Sequence, residues 1–464
     1  MYTPDRSSSS SMMLDKCIIH GYGYLGSRIT GLIEGTRRVQ ATWSPIGKLT
    51  FRVVAIVERD PHHRETAQAR HPSIPCFADI EEALEVASGA NTFIKDFTSP
   101  NGRLRLLSLA QQAGVSVLLE KPLSSPGVEV SLGNYRRIAS VSMSEAFNPV
   151  VHALASKLAG EAAEMRSLSF VRVNSLALDR LRNPEARSDI VGGAFVDKLS
   201  HDVHLLASGA VFGTTDVEFG TPEVQEIVYD IRVQEGATNL CFTSLNGTPL
   251  SPLNAEAPGC DPAEMMVDFK MPVKVGSQTF PTRWIASWSG VPSDLATRIG
   301  IQDSHVKAAL MVSKPDNDSP LYPRTNLKLI VCDYVNAAGQ DVQLICNLQA
   351  RGPINAWLME RRSGTEYLLP VEYSVSIIKS MQVFSQRFHH GGYLDLEGIE
   401  KADRATLKIR SEFRRPLTDE LQIERSLTVL DHNHSVLREP RESQDSSESI
   451  YRKLDSILVA GGSV

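Results

Sequence analysis

The segment Lys16–Gly26, KCIIHGYGYLG, constrains the fold more than any other stretch of the chain. An apolar run leads into Gly21-x-Gly23-x-x-Gly26, and a segment of helical period follows. Each glycine has a physical reason in that order: a tight turn, close backbone approach to a pyrophosphate, and close packing of helix on strand. The helix start then offers free N–H groups and the positive end of its dipole to an anion. Gly21, Gly23, Tyr24, Leu25 and Gly26 are therefore the expected phosphate-binding set. A second strand, FRVVAIV, ends on Glu58, placed to accept from ribose hydroxyls. A carboxylate there repels a 2′-phosphate and favours NAD over NADP. Arg59 beside it offers stacking on adenine or contact with that phosphate, so NADP stays possible. Glu58 lies further past Gly26 than is usual, and the polar stretch Thr36–Lys48 is read as the loop that fills the excess. A purely structural turn with a surface glutamate is the competing reading.

Beyond a Ser-rich start (1–13), apolar runs and helical stretches alternate up to about residue 145. TFIKDF and VSVLLE look buried on both faces, whereas IEEALEVA and GRLRLLSLAQQA have helical period, the latter closed by Gly114. This alternation predicts an α/β domain over 14–145, a doubly wound parallel sheet of Rossmann type. The pattern then changes. After the helical run VVHALASKLAGEAA come SLSFVRVNS, a helix in GGAFVDKLSHDVHLLASGAVFG ending near Gly209, and a series of strand candidates. Those are VQEIVYDIRV, MMVDFKMPV, TRWIASWSG, HVKAALMV, LKLIVCDYV and DVQLICNLQ. They predict an α+β domain over 146–415 with a large, open, mostly antiparallel sheet, helical again from about 371. An insertion loop is expected at 246–262, and a partly disordered extension at 416–464.

Composition removes several classes of function. The 464 residues carry 48 Lys and Arg against 54 Asp and Glu, a net charge of −6 that offers no broad basic footprint for nucleic acid. No apolar run approaches the roughly 18 residues of a membrane-spanning helix. The first residues lack the apolar core of a signal peptide. The 6 cysteines are scattered without CxxC spacing and read as reduced thiols, in keeping with a cytoplasmic enzyme.

The succession GYGYLG, VVAIVERDP, TSPN, VSVLLEKPLS and GGAFVDKLSHDVHLL resembles the Gfo/Idh/MocA oxidoreductases, glucose–fructose oxidoreductase, inositol dehydrogenase and their relatives. The motifs cover about residues 14 to 215; the later strands match by architecture alone. The resemblance implies that Lys121 contacts substrate and that Asp197 and His201 face the nicotinamide. Glu120 and Pro122 complete the lysine's turn, with the peptide before the proline often cis in relatives. Thr98, Ser99 and Pro100 join Glu120, Lys121 and Pro122 on the cofactor side. It also implies pairing of subunits through the open sheet, hence a homodimer or homotetramer, with Trp284 and Trp288 on that face. Burial of the tryptophans beneath the C-terminal helices is the alternative.

Elementary chemistry points to the same residues. Oxidising a secondary alcohol needs a base for the hydroxyl proton, and histidine suits that work near neutral pH. Asp197 and His201 stand at i and i+4, one face of a helix. Lys121 would place positive charge at the oxygen where negative charge develops. Taken singly, Asp197 as a helix cap, His201 as a satisfied core histidine and Lys121 as a solvated loop lysine are the plainer readings. His204 extends the same face, yet three such residues do not make a complete ligand set, and no metal is expected. Several positions depart from the family pattern. His204 stands where relatives commonly have aspartate, and Lys198 where they have a small or apolar residue. The usual histidine after the Pro-Asn element is missing. Lys198 either points away from the site or marks an anionic substrate, and Arg180, Arg182 and Arg187 are candidates for its mouth, with solvated loop residues the plainer reading.

The expected function is hydride transfer between NAD(P) and a carbon of a sugar, cyclitol or related polyhydroxylated substrate. The alternatives are an elimination through transient oxidation by tightly bound NAD, or a non-catalytic dinucleotide-sensing regulator. A small-molecule partner is expected; nucleic acid and membrane are not.

Overall fold

The computed structural model describes residues 14–35, 49–87, 89, 91–124, 130–135, 138–174, 193–229, 264–288, 291–313, 324–349, 356–361, 363–369, 373–388 and 396–413. The expected loop at 36–48, the insertion at 246–262, the three arginines at 180, 182 and 187, and the terminal segments 1–13 and 416–464 lie outside these residues.

The first sheet has six parallel strands: β1 (Asp15–His20), β2 (Phe51–Val57), β3 (Cys76–Phe77), β4 (Thr92–Asp96), β5 (Ser116–Glu120) and β6 (Ala139–Ser142). Their order is β3-β2-β1-β4-β5-β6, so the strand order reverses between β1 and β4. That reversal is where open α/β sheets bind ligands, at the carboxyl ends of the strands. Successive residues of β1 enter opposite cores: Cys17 and Ile19 one, Ile18 the other. Burial on both faces is what crossover helices impose, and it accounts for the unbroken apolar run. The helices are α1 (Tyr24–Ile33), α2 (Pro61–Arg70), α3 (Ile80–Ala87) and α4 (Arg103–Ala113). Asp60 caps α2 by accepting from His63 N at 2.9 Å. Gly114, at φ +65°, ends α4 as expected.

The chain then passes through α5 (Pro149–Glu161), capped by Asn148, into the long strand β7 (Ala162–Asn174). A π-helical turn over Phe195–Leu199 runs into α6 (Ser200–Ala207). The remaining strands are β8 (Val217–Phe219), β9 (Glu223–Tyr229), β10 (Glu264–Val275), β11 (Gln278–Ser287), β12 (Met311–Ser313), β13 (Arg324–Asn336), β14 (Asp341–Asn347), β15 (Ala356–Glu360) and β16 (Thr365–Leu369). They form a ten-stranded open sheet with β7 and the order β16-β15-β14-β13-β7-β11-β10-β8; β12 adds to β13 and β9 to β10. Within this second sheet only β7 and β11 pair in parallel among the described strands. The mostly antiparallel sheet is the one expected.

Two expectations are corrected. HVKAALMV is not one strand. The short helix α7 (Leu295–Arg298) precedes it, its first part belongs to a further helix, α8 (Asp303–Ala309), and only its end enters β12. Val306 and Ala309, three apart on one helix face, are buried with Leu295 of α7 against Val171, Leu327 and Leu329 of the sheet. Trp284 and Trp288 do not lie on an open face. They are 0% and 2% exposed, in the cluster that also holds Phe170, Phe195 and Phe269. The ring of Trp284 stacks parallel to that of Phe269, centroids 6.0 Å apart.

Two helices close the described chain, and both reach the first sheet. In α9 (Tyr373–Phe388), Ile377, Ile378, Met381 and Phe384 pack with Phe51 and Phe93. Ser385 Oγ also donates to Asp15 Oδ2 at 2.5 Å. The other, α10 (Leu396–Phe413), straddles both units. Ile399 joins the first sheet's core, Ala402 and Ile409 join the second's, and Glu400 accepts from Leu132 N at 2.9 Å. A single cut near residue 145 therefore does not separate the packing.

The tightest steric point is Gly26, where a Cβ would fall on the carbonyl oxygen of Gly21. Gly26→Ala must push α1 off β1, so a loss of about 1–3 kcal/mol is expected in urea unfolding, the usual range for overpacking. An unchanged midpoint would show that the turn yields freely.

Candidate functional site

The glycine turn sits where the strand order reverses. Gly21, at φ +92°, packs so closely on the segment after β4 that a Cβ would meet Phe97 C and Thr98 Cγ2 at 3.3 Å. This brings Thr98, Ser99 and Pro100 beside the turn. Gly23, by contrast, faces open space, with nothing within 4 Å of its would-be Cβ. No side chain caps α1, and its first turn holds no acidic residue to oppose an anion. Glu58 closes the far side. Its Oε2 accepts from Tyr22 N at 2.7 Å and its Oε1 from Asp60 N at 2.9 Å, which fixes the carboxylate against the turn. Arg59 and Tyr24 are exposed and Leu25 is half-buried. An open turn at a helix N-terminus without acidic residues, and a fixed acid beside it, fit a dinucleotide.

The turn after β5 is built on buried charge. Lys95, fully buried in β4, donates to Glu120 Oε1 at 2.5 Å, so Glu120 braces the turn from beneath. Asp96, equally buried, takes His20 Nδ1 at 3.0 Å and the Thr98 hydroxyl at 2.7 Å. Arg103 of α4 donates to Leu123 O at 2.9 Å and also to Pro122 O. The Lys121–Pro122 peptide is cis, as is often so in relatives of the family resembled. The strand edges therefore supply charge partners in place of water, and Lys121 is aimed across at the second unit.

Lys121 Nζ donates to Asp197 O at 2.5 Å and to Asp197 Oδ1 at 3.2 Å. Asp197 Oδ2 receives Lys198 Nζ at 2.7 Å and Trp288 Nε1 at 3.1 Å. Lys198 thus points at the site. Behind this group lies a second one. Arg172 of β7, 1% exposed, grips Asp202 through Nε at 2.9 and 3.1 Å and reaches Glu145 at 2.9 Å. Lys328, paired with Arg172 across β13 and β7, donates to the same Glu145 at 2.7 Å.

These charges set the proton affinities. Burial alone would raise Asp197, yet Lys198 and Lys121 hold its carboxyl far below the usual carboxylate range. Glu145, likewise opposed by burial, is pulled down to about 2 by Lys328 and Arg172. Asp202 goes the other way, raised by burial to about 6 despite Arg172. His201 lies well below the ordinary imidazole value because of burial first and then the positive charges of Lys121, Arg172, Lys328 and Lys198. Its neutral form therefore prevails at neutral pH, the form able to accept a proton. His204 belongs to the core instead: it is 1% exposed, with Nδ1 at 2.7 Å from Met143 Sδ. Among the described residues no group of three or more His, Cys, Asp or Glu is placed to hold a metal ion.

Lys121 and Asp197, far apart in sequence, are brought together. Sequence reasoning missed the residues behind them: Lys95, Asp96, Arg103, Glu145, Arg172, Asp202, Trp288 and Lys328. A faint signal existed, since TFIKDF and SFVRVN carry charges inside otherwise apolar strand runs, and a buried charge requires a partner.

No protein-family model and no curated protein sequence matches the chain. Solved structures do match. A point mutant of KijD10, a 3-ketoreductase from Actinomadura kijaniata, in complex with TDP-benzene and NADP, has a TM-score of 0.54 at 13% identity, covering 86% of this chain and 98% of its own. Myo-inositol 2-dehydrogenase from Lactobacillus plantarum has a TM-score of 0.50 at 11% identity, covering 87% and 98%. An oxidoreductase from Agrobacterium radiobacter, in complex with NAD+, L-tartaric acid and magnesium, has 0.51 at 13%, covering 86% and 95%. The chain has the two-part fold of the Gfo/Idh/MocA oxidoreductases that its motifs resemble.

Proposed function

We propose that this chain is an NAD(P)-dependent oxidoreductase that moves a hydride between the nicotinamide and a carbon of a sugar, cyclitol or related polyhydroxylated substrate. The observation that carries the reading is the Lys121–Asp197 ion pair at 3.2 Å. It joins the first sheet's carboxyl edge, beside an open phosphate cradle, to the helix that bears His201. The structural neighbours, a ketoreductase and a dehydrogenase among them, support the same class of reaction. In the oxidative direction the carbinol carbon gives up hydrogen with two electrons, which the nicotinamide accepts when bound, and the hydroxyl gives up a proton. The chain's own task is that proton. His201, kept neutral by burial and nearby cations, accepts it, while the Lys121 ammonium steadies the negative charge growing on the oxygen. Asp197 stays ionised and holds Lys121 in place.

The reading extends to a homodimer or homotetramer in the cytoplasm. Cys17, Cys332 and Cys346 are buried, and burial pushes each thiol up and keeps it protonated. Among the described residues no helix is long and apolar enough to cross a membrane.

Lys121→Ala and His201→Ala are each expected to lower kcat at least about a hundredfold on the polyol that supports NAD(P)H formation, with dinucleotide affinity nearly unchanged. Wild-type turnover in both would remove them from the mechanism. Because His201 is depressed, the acid limb of kcat/KM against pH should fall below the ordinary histidine value of 6.5; a limb at or above it contradicts His201 as base. Glu58→Gln should weaken NAD more than NADP in calorimetric titration, and the opposite ranking would reverse the cofactor preference.

A further inference from the structure

We propose that the substrate is an anion, a polyhydroxylated acid whose carboxylate lies next to the reacting carbinol and is received by Lys198 together with Lys121. The inference rests on the oxidoreductase reading above and names the substrate class of that site.

Among the described residues two groups of charge lie side by side, and they are balanced differently. In the deeper one, Arg172 holds both Glu145 and Asp202, and Lys328 joins at Glu145, so two cations meet two carboxylates. In the outer one, the two ammoniums of Lys121 and Lys198 converge on one carboxylate, that of Asp197. Burial divides the charges as well. Glu145, Asp202 and Arg172 are 3%, 0% and 1% exposed at the side chain, whereas Lys328, at 20%, reaches the accessible side. Lys121, Lys198 and Asp197 remain 14%, 16% and 22% exposed, open to an incoming ligand. The excess positive charge therefore lies on the accessible side, where an anion can join it.

Its position selects the chemistry. Lys198 is the immediate neighbour of Asp197, which holds Lys121. An anion bridging the two ammoniums would stand within one or two carbons of the oxygen that Lys121 steadies. A carboxylate carries the single compensating charge and the two acceptor oxygens such a bridge needs. Burial and then Lys121 depress Lys198, against the pull of Asp197, so a bound carboxylate would reverse a repulsion already built in.

The test uses the full chain saturated with NAD+. D-gluconate and D-glucuronate are compared with myo-inositol, D-glucose and glucose 6-phosphate by thermal shift and calorimetry. The carboxylates are expected to bind at least about tenfold more tightly than the neutral compounds, as charge-assisted hydrogen bonds do. Lys198→Met should abolish that preference and Lys198→Arg should retain it, with the NAD+-induced shift preserved in both as the control for folding. Equal binding of charged and neutral compounds, no carboxylate binding, or a preference surviving Lys198→Met would overturn the proposal. Preference for glucose 6-phosphate would replace the carboxylate with a phosphate and so refute it. Failure of both NAD+ and NADP+ to bind would instead refute the oxidoreductase reading.

Discussion

The Lys121–Asp197 ion pair is the contact on which the site depends. Lys121 follows directly on a fully buried strand of the first sheet, and Asp197 stands on the π turn that leads into α6 of the second unit. Both side chains are partly buried, 14% and 22% exposed, so each offsets part of the other's cost of leaving water. Everything around the pair serves to aim it. Glu120 and Lys95 brace the strand ends, Arg103 holds the carbonyls after the cis peptide, and Trp288 and Lys198 fix the second carboxylate oxygen. The two units are thereby joined at the point where chemistry is proposed.

A second constraint lies deeper. Glu145, Arg172, Asp202 and Lys328 come from four separate elements and form one hydrogen-bonded network under the π turn. Satisfied buried networks of this kind are rigid, and a half-satisfied one is costlier than an apolar core. The network holds the start of α6 against β7 and sends positive field toward His201. One arrangement therefore does two things: it orders the floor of the site and adds to the burial that keeps the imidazole neutral. α9 packs back onto the first sheet, and α10 contributes to the cores of both sheets.

Much of this was legible in the sequence because local rules act over short distances. β1, the glycine turn and α1 follow from three glycines between an apolar run and a helical period. IEEALEVA and RLRLLSLAQQA coincide with α3 and α4, where apolar spacing and Gly114 agree. HVKAALMV misled because apolar residues at both ends suit a strand as well as a helix, and only packing of Val306 and Ala309 decides between them. The tryptophans misled for a similar reason: period two says that Trp284 and Trp288 share a face, not which face the helices cover. Lys198 was undetermined because a side chain's direction on a π turn does not follow ordinary helical spacing. Arg172 and Lys95 were missed because their partners lie far away in sequence, and only the folded chain brings them together.

The central claim is that the first domain binds a nicotinamide dinucleotide beside this ion pair. The most direct measurement is on the protein as purified: denature it, identify any released dinucleotide by absorbance and mass, and titrate the emptied or empty protein with NAD+ and NADP+. The account predicts one dinucleotide per chain, either released or bound on titration. Finding none in both steps would contradict it and leave only the fold.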